Sequence, residues 1–273
     1  MVKAVMDSEL KLGECLADVI KRPFPGVMAE TPIVVAGGFL RCHNVDALFV
    51  LRRGTWTNEG IFGFPVISEL MNTNDYNSSI WKECGSISTA IPHVSVGQNL
   101  VGLLALFEQR RFGNASIYLD GQPALISLSD IIRLYSAGTL DTDLKCADVM
   151  SKMFSLPPDA TIGEALKEMV KRRIRRIFLE DGNTFISDRT VIRYLFSPEG
   201  LHLSRESPSR TFEAKISETD PEHATAVDGN TGIREAAGLV DVAAGSCLTC
   251  GGGVVTPWDL VIKPFQKQRL VSR

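Results

Sequence analysis

Two stretches of the chain carry the same order of apolar and polar positions. Ile117-Tyr118-Leu119-Asp120-Gly121-Gln122-Pro123-Ala124-Leu125-Ile126-Ser127 and Ile177-Phe178-Leu179-Glu180-Asp181-Gly182-Asn183-Thr184-Phe185-Ile186-Ser187 each read as apolar strand, acidic-Gly turn, second apolar strand and hydroxyl. Asp-Gly between short apolar runs predicts a hairpin, because glycine takes positive φ without a steric cost. A short apolar helix is expected after each hairpin, through Asp130–Tyr135 and Val191–Phe196. A longer amphipathic helix is expected before each one. Thr161-Ile162-Gly163-Glu164 is a capping box, followed by a helical stripe of Ile162, Ala165, Leu166, Met169 and Val170. Ser95-Val96-Gly97-Gln98 opens the matching helix, backed by Leu100, Leu103, Leu104 and Phe107.

The same order extends both ways. Downstream, Thr231 opens a helix through Ile233, Ala236, Ala237 and Val240, and a hairpin turns at Gly251-Gly252 before Val254-Val255-Thr256-Pro257-Trp258-Asp259. Upstream, Ala47–Leu51 is expected to pair with Ile61–Phe64 across a longer loop. Val66 then falls where Ser127, Ser187 and Thr256 fall in the other units. Four units of strand, helix, hairpin and helix fill the chain, and one alone is too small to cover its own sheet. Polar stretches at 72–75, 137–143 and 204–210 separate the units, and the domain boundary is placed in the second.

The recurring element is a hydroxyl followed three residues later by an acid: Ser127/Asp130, Thr256/Asp259, and a variant, Ser187-Asp188-Arg189-Thr190. A hydroxyl where strand meets helix lies beside the free N–H groups and positive dipole end that favour a phosphate. An acid one turn on shares its face and suits a ribose diol. The same spacing is also that of a plain capping box. Unit one has Val66 and Glu69 at these positions and is degenerate. Unit three has Thr190 in place of the acid, while Arg189 remains able to face a phosphate. The run Lys171–Arg176 is either a solvated, dipole-matched helix end or a phosphate grip by Arg173, Arg175 and Arg176.

These hairpins and hydroxyl-x-x-acid motifs, with Asp148-Val149-Met150 entering unit three, resemble the cystathionine-β-synthase-type (CBS) domain family. The resemblance implies an α/β fold of the α+β type, with four β-α-β-β-α repeats paired into two Bateman modules. These would span 1–142 (repeats one and two) and 143–273 (repeats three and four). It implies a non-catalytic regulatory protein that binds AMP, ADP or ATP between paired repeats and signals energy state to a regulated partner. The nucleotide-binding residues would be Ser127, Asp130, Ser187, Arg189, Thr190, Thr256 and Asp259, with phosphate contacts from Arg173, Arg175 and Arg176. An S-adenosylmethionine sensor and a ligand-free structural or RNA-interaction protein are the alternatives. A homodimer through the module helices is expected by the same analogy.

Composition narrows the classes. With 273 residues, 44% hydrophobic and 22% charged, the chain is an ordinary globular protein. Its net charge of −3 argues against a duplex-DNA footprint. An aromatic content of 7%, not interleaved with the basic run, argues against a single-strand stacking platform. No apolar run reaches the length of a membrane span, and Asp7 comes too early for a secretory leader, so a cytoplasmic location is expected. There is no Walker loop, nucleophile elbow, dinucleotide fingerprint or metal-spaced histidine set, so neither catalytic residue, metal nor cofactor is expected. Cys247-Leu248-Thr249-Cys250 has CxxC spacing, but it falls on a hairpin strand and lacks further ligands, so packing thiols are expected.

Overall fold

The structure is a computed structural model and describes residues 3–4, 10–20, 24–71, 75–240 and 246–271. Each unit is built on an antiparallel hairpin. The pairs are Ala47–Arg52 with Thr55–Phe62, Asn114–Leu119 with Gln122–Ser127, Arg176–Leu179 with Thr184–Ser187, and Leu248–Cys250 with Gly253–Val255. Three of the turns place two successive residues at positive φ: Arg53-Gly54, Asp120-Gly121 and Gly251-Gly252. That is the type I′ geometry whose twist matches the strands.

Unit one departs from its expected register. Its hairpin has a tight turn at Arg53-Gly54 instead of a long loop, because Thr55–Gly60 continues the second strand despite its polar sequence. Ala47 pairs with Phe62 as Asn114 pairs with Ser127, so the positions matching Ser127 and Asp130 are Phe62 and Pro65. Val66 and Glu69 lie one turn later: Val66 is fully buried in the core and Glu69 pairs with Lys82 on the outside.

Helices precede the hairpins at Ile33–His43, Leu100–Arg110, Ile162–Arg172 and Ile233–Leu239. Unit four reverses the expected lengths: its first helix has 7 residues and starts after Gly232, not at Thr231, and the helix after its hairpin, Pro257–Val271, has 15. The Thr161/Glu164 capping box is formed. The unit-two helix starts later than Ser95, since Asn99 is the cap and its side chain accepts from the Gly102 N–H. The stretch around 204–210 is not a plain linker; it includes helix Pro198–Glu206 and the 3-10 turn Pro208–Phe212. Of the stretch 72–75, residues 72–74 lie outside the described residues.

Two kinds of contact join the units. Sheets of units one and two share Phe49, Phe62, Ile91 and Leu125, and those of units three and four share Phe178, Phe185, Cys247 and Val254. Strand exchange reinforces the second pair: Ser151–Lys152, ahead of unit three, pairs with the unit-four strand Gly253–Val255. Glu222–His223, ahead of unit four, pairs with the unit-three strand Thr184–Ser187. Helices make the other contacts, one core joining units one and three and another joining units two and four. The apolar helix faces are therefore used within the chain. Among the described residues no helix is long and apolar enough to cross a membrane.

Candidate functional site

All four units converge on a cavity of about 1430 Å³. Each contributes the start of the helix that follows its hairpin: Phe62, Phe64 and Pro65; Ser127, Leu128 and Ser129; Ser187, Asp188 and Arg189; Thr256, Pro257, Trp258 and Asp259. This follows from the repeat, because in every unit the second hairpin strand runs straight into a helix, which puts the helix N-terminus and its positive dipole end at the same edge of each sheet. The ends of the long helices supply cations. Arg111 and Arg173, at φ 50 and φ 56, close their helices in left-handed conformation at matching positions of units two and three.

The charged lining is unequal. Arg111, Lys152, Arg173, Arg175, Arg176, Arg189 and Arg269 face Asp46, Glu108, Asp188 and Asp259. Seven cations against four carboxylates among the described lining residues give the cavity a positive lining. Arg173 is exposed and has no side-chain ion pair among the described residues, whereas its neighbours are engaged. Arg175 donates to Asp188 Oδ2 from Nε and Nη2 at 3.0 and 2.7 Å, and its Nη2 lies 3.5 Å from Asp46. Arg189, only 9% exposed, holds Asp46 Oδ1 through Nη2 at 2.8 Å and Nε at 3.1 Å. Burial pushes the Asp46 carboxyl up, but Arg175, Arg189 and Arg176 together hold it below the ordinary range. Asp188 raises Arg175 further above its usual value, against the effect of burial.

In Ser127/Asp130 and Thr256/Asp259 the acid bonds back to its own hydroxyl residue, which is the capping-box arrangement. Asp130 Oδ2 accepts from the Ser127 N–H at 2.7 Å and the Ser127 hydroxyl at 2.8 Å, and Oδ1 accepts from Arg133 at 2.7 Å. Burial pushes the Asp130 carboxyl up, while the bonds from Ser127 and the charge of Arg133 oppose the shift. Ser127 lines the cavity but Asp130 lies behind it. Asp259 does line the cavity. Its Oδ2 accepts from the Thr256 N–H and hydroxyl at 2.8 and 2.7 Å, and its Oδ1 from Ser151 at 2.7 Å and Lys263 at 2.8 Å. Four donors fill a carboxylate's acceptor capacity, so a ribose would have to replace Ser151 or Lys263.

Unit three recovers a carboxylate that its own motif lacks. Glu222, on the exchanged strand, accepts from Thr190 Oγ1 at 2.6 Å, Arg193 at 3.0 Å and Ser187 Oγ at 3.2 Å. Units two, three and four therefore each bring together a hydroxyl, an acid and a cation: Ser127/Asp130/Arg133, Ser187/Glu222/Arg193 and Thr256/Asp259/Lys263. Glu222 lies 32 residues beyond Thr190 in the chain, so no local spacing marks it. Asp46, Arg111, Lys152 and Arg269 likewise lie outside every sequence motif.

Cys247 and Cys250 are both buried. Three residues apart along an extended segment, they face opposite sides: Cys247 joins the sheet–sheet core and Cys250 the helix-side core. Burial pushes the Cys247 thiol up to about 11. No group of metal-spaced ligands occurs among the described residues. Trp258 lines the cavity and also packs on the core between units two and four.

Residues 146–196 match the sequence model of the CBS domain. Over 90% of this chain and 98% of its own length, a protein of Methanocaldococcus jannaschii, described as a proposed archaeal homolog of g-AMPK, is similar at a TM-score of 0.77 and 16% identity. An uncharacterised conserved protein of Pyrococcus horikoshii covers 90% of this chain and 97% of its own, at a TM-score of 0.53 and 12% identity. A CBS-domain containing protein of Agrobacterium tumefaciens covers 47% of this chain and 95% of its own, at 0.41 and 16%. Comparison with curated proteins gives no match.

Proposed function

From a chain whose residues 146–196 are a CBS domain and whose fold is that of tandem CBS-domain proteins, we propose a non-catalytic regulatory protein that binds an adenine nucleotide. The phosphates lie in the central cavity against Arg173, Arg175, Arg176 and Arg189. The helix starts beyond Ser127 and Thr256 add the N–H groups of Ser129 and Trp258, which line the cavity. The ribose takes the carboxylate of Asp259, which faces the cavity, in exchange for Ser151 or Lys263.

The observation that carries this reading is the excess of guanidinium and ammonium groups around the cavity, with Arg173 left without a counter-charge among the described residues. Guanidinium forks match phosphate oxygens, and a polyanion gains most where protein charges do not already balance. The same field disfavours S-adenosylmethionine, whose sulfonium is a cation. ATP, ADP and AMP should therefore bind in that order of strength. A regulated partner protein would read the occupancy. Because the module helices face each other inside the chain, a second copy would have to dock on another surface.

Selective binding to the folded chain stabilises it by about 2.7 kcal/mol at a hundred times the dissociation constant. For a chain of this size that is a melting-temperature rise of about 5–10 °C. The expected result is such a rise with ATP and a smaller one with AMP. A rise with S-adenosylmethionine and none with any adenine nucleotide at millimolar concentration would refute the proposal.

A further inference from the structure

Unit one carries an acid where unit three carries an arginine. In the first three hairpins, the residue opposite the helix start follows one that lines the cavity: Ala47, Asn114 and Arg176 are preceded by Asp46, Gly113 and Arg175, and in unit four the matching residue before Cys247 is Ser246. Units two and four, which face each other, have no charge there. Units one and three, which also face each other, have opposite charges, and these meet at the cavity wall.

The two sides of this contact differ in freedom. Arg189 is 9% exposed and fixed in the interface, whereas the Asp46 side chain is 38% exposed and that of Arg175 is 52% exposed. Asp46 can reach water once released, at the cost of its attraction to Arg175, Arg176 and Arg189, and the buried Arg189 favours another anion in its place. Its carboxylate sits where an incoming oxyanion would find two guanidinium groups. Beside it, Gly63 packs so closely that a Cβ there would lie 3.3 Å from Ile192 and 3.8 Å from Asp188 Oδ2. The Gly63 N–H also donates to the Asp46 carbonyl at 3.4 Å. A backbone shift at Asp46 would therefore reach the start of the helix Gly63–Met71, which packs on unit three.

We propose that Asp46 is an internal competitor for the ligand's phosphate: an entering phosphate exchanges with its carboxylate on Arg175 and Arg189, and the exchange loosens unit one from unit three. This rests on the reading that the cavity takes phosphate. Ligand occupancy is thereby converted into a change at the joint between the two halves of the chain, through one ion pair that cannot coexist with bound ligand.

The test is calorimetric titration of the full chain with inorganic tripolyphosphate. Asp46→Asn should bind it about tenfold more tightly than the parent, the factor for a site otherwise open in about one molecule in ten. Hydrogen exchange supplies the second readout: tripolyphosphate should lower protection at Gly63–Met71 in the parent and leave it unchanged in Asp46→Asn. If Asp46→Asn does not fold, Asp46→Ser takes its place in the titration, since it also removes the carboxylate from Arg175 and Arg189. Parent binding with equal or weaker binding by the variant overturns the competitor role and leaves the phosphate reading standing. No binding by either protein removes both.

Discussion

The triple variant Arg173→Gln, Arg175→Gln, Arg176→Gln binds ATP at least about a hundredfold more weakly than the parent, measured by titration calorimetry. Each charge-assisted bond from guanidinium to phosphate contributes about 1.5–3 kcal/mol, so two lost bonds already reach that factor. The loss of Arg175 also uncovers Asp188 and Asp46, whose charge repels the incoming phosphate. Stability falls as well, because Asp188 is only 6% exposed and loses its counter-ion. Arg173→Gly separates the two effects. Arg173 holds a left-handed conformation at φ 56 and closes its helix through its backbone N–H. Glycine relieves about 1 kcal/mol of strain there, so this variant should melt higher while binding ATP about tenfold more weakly. Unaltered ATP affinity in the triple variant would remove the phosphate role from this run.

Gly37→Ala should lower the melting temperature by up to about 8 °C, whereas Gly38→Ala should raise it slightly. The two glycines are adjacent in the helix Ile33–His43, where alanine is the better helix former by about 1 kcal/mol. A Cβ at Gly38 would meet nothing within 4 Å, so that variant realises the gain. Gly37 faces the ring of Phe196, where a Cβ would overlap Cε1, Cζ and Cδ1 of a side chain that is 3% exposed. Overpacking of this kind costs about 1–3 kcal/mol and falls on the contact between units one and three. Calorimetric melting of the two variants checks the pair. Equal effects would mean that this contact does not hold the units together.

The repeat is legible in sequence because its turns and caps are written in short spacings. Asp120-Gly121 and Gly251-Gly252 are local instructions for a hairpin, and Thr161/Glu164 is a local instruction for a helix start. Unit one escapes such reading because Thr55–Gly60 is a strand with polar residues. No apolar alternation marks it, and the tight turn at Arg53-Gly54 has an arginine where asparagine or aspartate usually signals one. The start of the Leu100–Arg110 helix is ambiguous because Ser95 and Asn99 are both residues that cap well, and only the geometry of Gly102 selects Asn99.

Within the site, the hydroxyl–acid pairs are legible as pairs, but their direction is not. The capping box and the ribose grip share one spacing, and the chain itself satisfies the box: Asp130 and Asp259 bond back to Ser127 and Thr256. The partners that decide the electrostatics come from far along the chain. Asp46 meets Arg189 across 143 residues, and Ser151 meets Asp259 across 108. Such contacts arise only when the units face each other, so no window of sequence contains them.

The most direct test is a crystal structure of the full chain grown with ATP. The expected result is phosphate density in the central cavity within hydrogen-bonding distance of Arg173 and Arg175, with the Asp46 carboxylate withdrawn from Arg189. ATP bound elsewhere on the surface, with the cavity holding only solvent and Asp46 still paired, would contradict the phosphate-binding role of the cavity.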